Sequence, residues 1–255
     1  YPIFLDVLSS QKISVGPPFY HKLIIPFLIP FLFIMAIGPK LKWIKSNLEN
    51  KIYLIFLLII SILSSYLIVK NFDYNFLINT ILISSAFYLF FATLRDFFTN
   101  KLKNISQNIS HFGFSLLILS ILFNNLFSTE IITNLKVGET FENSKTKIVF
   151  ENINQKVENN YKSIVGNFSI KSSNEKMENF FPELRIYNQP NIVTSEADIK
   201  TTLISDKFIV INLVQNQDYF NVRYQVKPFM LWIWMSVLII SFGGLMSFIR
   251  KKYEK

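Results

Sequence analysis

The chain has 255 residues, of which 51% are hydrophobic and 16% aromatic, with 27 Phe and a mean hydropathy of +0.33, an apolar excess that ordinary soluble domains do not carry. It has no Cys, which excludes disulfides, thiolate metal sites and thiol nucleophiles, and only two His, His21 and His111, which leaves few actors for metal or proton chemistry. The formal charge of +9 excludes a nucleic-acid face: residues 128–228 carry 12 Lys/Arg and 12 Asp/Glu, so the excess sits at the ends of apolar runs, as membrane topology signals do.

Tyr1 is not Met, and no basic segment with a following apolar stretch and cleavage site is visible at the start. The expectation is the C-terminal part of a longer chain. Five apolar stretches are long enough to be read as membrane spans: Leu23–Ile37, Ile52–Val69, Tyr74–Leu94, Ile105–Phe127 and Phe229–Ile249. The first is the shortest and contains Pro26 and Pro30, which predicts a kink. Lys40, Lys42, Lys45 and Lys51 follow it, Arg95, Lys101 and Lys103 follow the third, and Arg250, Lys251, Lys252 and Lys255 close the chain. Alternate crossings put these three basic segments on one side, and the positive-inside rule makes that side cytoplasmic. Residues 1–127 are thus read as a stub and four spans, 128–228 as a polar domain outside the cytoplasm, and 229–255 as a final span with a basic tail.

The polar domain reads as strands. Phe220, Val222, Tyr224 and Val226 alternate with Asn221, Arg223 and Gln225, the period of a half-buried strand. Lys147–Ile153, Ser163–Ile170 and Lys207–Val214 are rich in β-branched and aromatic residues. Turn signals fall at Val137-Gly138, Val165-Gly166, Asn188–Asn191 and Gln215–Asp218, and Ser195–Thr201 reads as a short helix. The expected fold class is an α-helical transmembrane bundle with an inserted β-rich domain, a small sandwich or barrel of five or six strands.

His111 is the most informative residue. It lies about six residues into the fourth span, roughly 8–10 Å deep at helical rise. Ionisable groups at such depth are rare and usually face the bundle interior. Gln107, Asn108 and Ser115 lie at i−4, i−3 and i+4, giving one polar stripe. Three readings stay open from the residues alone: a structural histidine between helices, an iron ligand whose tautomer a neighbouring amide or hydroxyl fixes, and a proton relay. His21 reads as an interfacial residue, and Arg95 and Asp96 mark the inner interface. Trp232 and Trp234 read as an aromatic-belt anchor, with stacking on a planar ligand as the alternative. Gly243-Gly244 reads as a site of close helix packing. No residue reads as catalytic.

Several segments together resemble one family, the cytochrome c-type biogenesis protein CcmF, the membrane heme lyase component, with its paralogue NrfE close behind. They are Tyr1-Pro2, the run from Lys12 to Tyr20 (KISVGPPFY), Ser110-His111-Phe112-Gly113, Pro182-Glu183-Leu184-Arg185-Ile186-Tyr187, Thr194–Ile199, and Val226-Lys227-Pro228-Phe229 with Trp232-Ile233-Trp234 and Gly243-Gly244-Leu245. The blocks stand in family order over nearly the whole chain.

The resemblance implies a b-type heme held between two transmembrane histidines, with His111 as one axial ligand of its iron. The second ligand and the tryptophan-rich WWD heme-handling segment belong to the family's earlier half, so a piece like this one is not expected to be catalytically complete. It also implies partners: that N-terminal half, the periplasmic heme chaperone CcmE, CcmH-type subunits that handle apocytochrome, apocytochrome c itself with its Cys-x-x-Cys-His motif, and the membrane, but no nucleic acid. The implied location is the bacterial inner membrane, with the β domain in the periplasm. Two rival functions remain, a heme or solute transporter and a membrane-anchored scaffold with a structural His111. No role is carried onto His21.

Overall fold

The computed structural model describes residues 17–38, 51–72, 75–99, 105–172, 176–214 and 218–253. The start of the KISVGPPFY run, both basic loops in part, the turn at Gln215–Asp218 in part and the last two residues of the tail lie outside them. The chain divides into two compact units, 1–122 with 235–255, and 123–234.

The first unit is helical: α1 (Pro17–Ile37), α2 (Lys51–Val69), α3 (Phe76–Thr99), α4 (Ile105–Phe127) and α5 (Met230–Tyr253), the last two of which run on into the second unit. Among the described residues four helices are long and apolar enough to cross a membrane, α2 to α5; the apolar part of α1, Lys22–Ile37, is shorter. Pro26 and Pro30 both lie inside α1.

α3 is the most enclosed helix, with Ile83, Ser85, Ala86, Leu89 and Ala92 all buried. Its small residues let neighbours approach. The Ser65 hydroxyl of α2 donates to the Thr80 carbonyl at 2.7 Å, Tyr88 packs on Phe33 of α1 at 5.4 Å, and the Arg95 guanidinium lies 4.1 Å over the Tyr53 ring of α2.

α4 and α5 meet through reciprocal glycines. A Cβ on Gly113 would lie 2.9 Å from side-chain carbons of Ile239 and Ile240. A Cβ on Gly243 would meet the Ser110 backbone nitrogen at 2.8 Å and the Ser106 carbonyl at 2.9 Å. Gly244 has nothing within 4 Å, so of the Gly243-Gly244 pair one residue makes the close contact.

The second unit is a two-sheet sandwich of ten strands, all paired antiparallel: β1 (Thr129–Leu135), β2 (Thr140–Glu142), β3 (Thr146–Val157), β4 (Tyr161–Ser172), β5 (Glu178–Phe180), β6 (Glu183–Tyr187), β7 (Val193–Glu196), β8 (Asp198–Thr201), β9 (Ser205–Leu213) and β10 (Phe220–Pro228). One sheet has the order β1-β10-β9-β8, the other β2-β3-β4-β6-β7 with β5 also on β4. Alternating residues of both sheets fill the core. Phe150 stacks on Phe168 at 4.2 Å within one sheet and meets Phe220 of the other edge-on at 5.5 Å.

Ten strands replace the five or six expected, because short edge strands carry too few residues to show a period. Ser195–Thr201 is not a helix. It forms the edges of both sheets in turn, β7 on β6 and β8 on β9, with the chain crossing between sheets at Ala197. Pairing with two waiting strands overrides a weak local helix preference. Val165-Gly166 is not a turn either but the middle of β4. Gly166 is there for packing: a Cβ would fall 2.6 Å from the Phe168 ring and 3.3 Å from Ile211. Gly138, in contrast, sits in a true turn at φ +86, where L side chains are strained.

Candidate functional site: the histidine face of α4

His111 stands six residues after Ile105, about 9 Å along the helix at 1.5 Å per residue. It is half-buried, and among the described residues its imidazole makes no side-chain hydrogen bond. Two neighbouring helices claim the flanks of α4 beside it. Ser106, Ser110 and Gly113 form the side against α5, with the Ser110 hydroxyl donating to the Ile240 carbonyl at 3.5 Å. Asn108, Phe112 and Ser115 form the side against α3. The Asn108 amide donates to the Asp96 carbonyl at 3.3 Å, Phe112 packs on Phe90 at 5.6 Å, and the Ser115 and Thr93 hydroxyls lie 3.4 Å apart.

The polar stripe expected around His111 is therefore divided. Asn108 and Ser115 bond elsewhere, Ser115 to the Phe112 carbonyl at 2.8 Å, and Gln107 is exposed. No amide or hydroxyl among the described residues orients the imidazole. Asp96, which sequence reading placed only at the interface, accepts the Asn108 amide on its backbone carbonyl.

One turn along from His111, Phe114 meets Phe31 of α1 edge-on at 6.1 Å. Phe31 also lines an open apolar groove with Leu23, Ile24, Phe27 and Leu28. No cluster of three or more His, Cys, Asp or Glu able to hold a metal occurs among the described residues. A porphyrin brings its own four nitrogens and needs an axial imidazole and apolar walls, and the free His111 imidazole beside phenylalanines would suit it.

His21 lies in α1, and its side chain is outside the described ones. Trp232 and Trp234 stand exposed on the first turns of α5, and the Trp232 indole donates to the Leu203 carbonyl at 2.9 Å. The Pro182–Tyr187 segment forms β6, where Glu183 holds Arg185 at 3.1 Å and the guanidinium lies 5.1 Å over Tyr161. Those contacts raise the Arg185 pKa, the hydrogen bond to Glu183 most of all.

Residues 126–228 match the family model for the CcmF C-terminal beta-sandwich. The cytochrome c-type biogenesis protein CcmF of Pseudomonas fluorescens is 26% identical over 100% of this chain and 41% of its own length. CcmF of Escherichia coli K12 is 21% identical over the same shares, and NrfE of Haemophilus influenzae 22% over 100% and 42%. A solved structure, titled Cytochrome c Heme Lyase CcmF, superposes on 95% of this chain and 41% of that one, with a TM-score of 0.72 and 17% identity. The chain resembles the C-terminal part of CcmF. It spans about two-fifths of the length of the CcmF relatives it matches. The likeness carries the fold, a helical bundle with a β-sandwich.

Proposed function

We propose that this chain is the C-terminal portion of a cytochrome c heme lyase and supplies one axial ligand, His111, to a resident b-type heme. The observation that carries the reading is the half-buried imidazole of α4, unbonded among the described residues and flanked by α3, α5 and Phe114. Phe114 and Phe31 would line the porphyrin. Such a heme, when bound, supplies one-electron chemistry whose potential its axial ligands tune.

In this reading residues 1–127, 128–228 and 229–255 are the spans, a periplasmic β domain and the last span with its cytoplasmic tail, all in a bacterial inner membrane. The N-terminal half brings the WWD segment and the second ligand. The whole assembly takes heme from CcmE, works with CcmH-type subunits, and attaches heme to the Cys-x-x-Cys-His motif of apocytochrome c.

The test is His111→Ala with the N-terminal half present. The expected outcome is loss of the six-coordinate b-heme spectrum, because an axial nitrogen disappears and alanine offers none. His111→Gly with added imidazole should restore part of it, since the small side chain leaves room for the free ligand. An unchanged six-coordinate spectrum with full cytochrome c maturation in His111→Ala would assign His111 a structural role instead.

A further inference from the structure

The turn between β8 and β9 breaks the usual chemistry of tight turns. Its tip is Leu203-Ile204, where glycine, asparagine or aspartate is the rule. Leu203 is 72% exposed and Ile204 69%. The turn is nonetheless firmly made. The Thr202 amide and hydroxyl both donate to the Ser205 carbonyl, at 3.0 and 2.8 Å, and the Ser205 amide returns a bond to the Thr202 hydroxyl at 3.0 Å. The two apolar side chains are thus displayed by a rigid frame rather than left loose.

The strand registers say where the turn stands. Thr129 pairs with Val226, Val226 with Lys207, Pro228 with Ser205, and Thr201 with Asp206. The end of the sheet that carries the turn is therefore the end where the chain leaves α4 and enters α5. Both tip carbonyls are bound by the start of α5: Ile204 accepts from the Phe229 amide at 2.7 Å, and Leu203 from the Trp232 indole at 2.9 Å. Trp234, 64% exposed, lies two residues further on. The apolar window of α5 runs from Met230 to Ile249, 20 residues, about the thickness of a bilayer core, so the start of α5 stands at a membrane boundary. Whatever bathes that boundary also bathes the turn fastened to it.

We propose that the Leu203-Ile204 turn inserts into the headgroup–acyl boundary of the bilayer beside the start of α5, as a second, non-helical membrane anchor of the β-sandwich. Its occupant is lipid, because the turn is hydrogen-bonded to the start of a helix long and apolar enough to cross a membrane and adjoins that helix's exposed tryptophans. Insertion of about 5–10 Å suits two large side chains at one tip.

The chain has no Cys, so a single cysteine reports on one place in it. Leu203→Cys and, as reference, Val137→Cys are made in the full chain, labelled with an environment-sensitive nitrobenzoxadiazole dye, and reconstituted in phosphatidylcholine–phosphatidylglycerol nanodiscs. Val137 is exposed just past the opposite end of β1, roughly 30 Å away along the sheet. Replacing part of the phosphatidylcholine by its spin-labelled form should reduce the dye's emission about twofold at position 203 and leave position 137 unchanged. The unlabelled Leu203→Cys thiol should also react roughly tenfold more slowly than the Val137→Cys thiol with a small charged methanethiosulfonate. Equal quenching and equal reactivity at the two positions overturn the proposal. Slow reaction at 203 without quenching by lipid also overturns it and puts a protein partner on the turn.

Discussion

Replacing Gly243 by alanine puts a methyl group where α4 leaves no room. The new Cβ would press on the Ser110 hydroxyl and sit 2.8 Å from the Ser110 nitrogen and 2.9 Å from the Ser106 carbonyl. The hydroxyl can rotate aside, but the two backbone atoms cannot. Restoring ordinary contact at about 3.4 Å therefore needs α4 and α5 to part by roughly half an ångström. Overpacking of this kind costs about 1–3 kcal/mol, while alanine's better helix propensity offsets at most about 1 kcal/mol. Gly244→Ala receives the same propensity gain with nothing within 4 Å of the new carbon. The difference between the two variants thus isolates the packing cost. Thermal unfolding of each in nanodiscs, followed by tryptophan fluorescence, should rank Gly243→Ala below the parent and Gly244→Ala at or above it. Ser110 adjoins His111, so the parting of the helices should also broaden any b-heme spectrum in Gly243→Ala. Equal melting of the two variants would show that α4 and α5 do not touch where the glycines place them.

The β-sandwich offers two more tests. Phe150 is fully buried between Phe168 and Phe220, and Phe150→Ala should cost about 3–5 kcal/mol, a large part of a small domain's stability. Val157→Ala, at a 75% exposed position, should change it by less than about 0.5 kcal/mol, and loss of near-ultraviolet dichroism on heating measures both. Glu130 accepts hydrogen bonds from Gln225 and Arg223, which lower its pKa, the Gln225 bond first. A depressed carboxylate stabilises the fold above its unfolded pKa and loses that contribution as pH falls through its folded pKa. Melting of the sandwich should therefore fall on acidification below the ordinary carboxylate range, and Glu130→Gln should flatten that part of the pH profile.

What could be read from the residues follows the length of each element. The long strands β3, β4, β9 and β10 each carry enough alternating positions to show a period, and the apolar helices declare themselves by composition. β2 and β5 have three residues each, and β7 and β8 four, too few for any period. They exist because longer strands offer them unpaired edges. The same limit applies around His111. Spacing put Gln107, Asn108 and Ser115 on one stripe, but spacing cannot say which helix stands opposite. Once α3 takes Asn108 and Ser115, His111 is left with its ring free among the described residues.

The other histidine of the chain can be tested against the same geometry. Phe31 and Phe114 touch, which fixes a common level for α1 and α4. His21 lies ten residues before Phe31, about 15 Å along α1, and His111 three residues before Phe114, about 4.5 Å along α4. Antiparallel helices would put the two histidine positions about 20 Å apart along the helix axes, and parallel helices would still leave roughly 10 Å. Iron–imidazole bonds are only about 2 Å long, by analogy with other first-row metals, so one iron cannot hold both. A heme iron held by His111, as proposed, would therefore not take His21 as its second ligand. His21→Ala, expressed with the N-terminal half, should keep the full six-coordinate b-heme spectrum that His111→Ala loses. Loss of that spectrum in both variants, with the protein otherwise folded, would mean that α1 stands elsewhere than its contact with Phe114 places it.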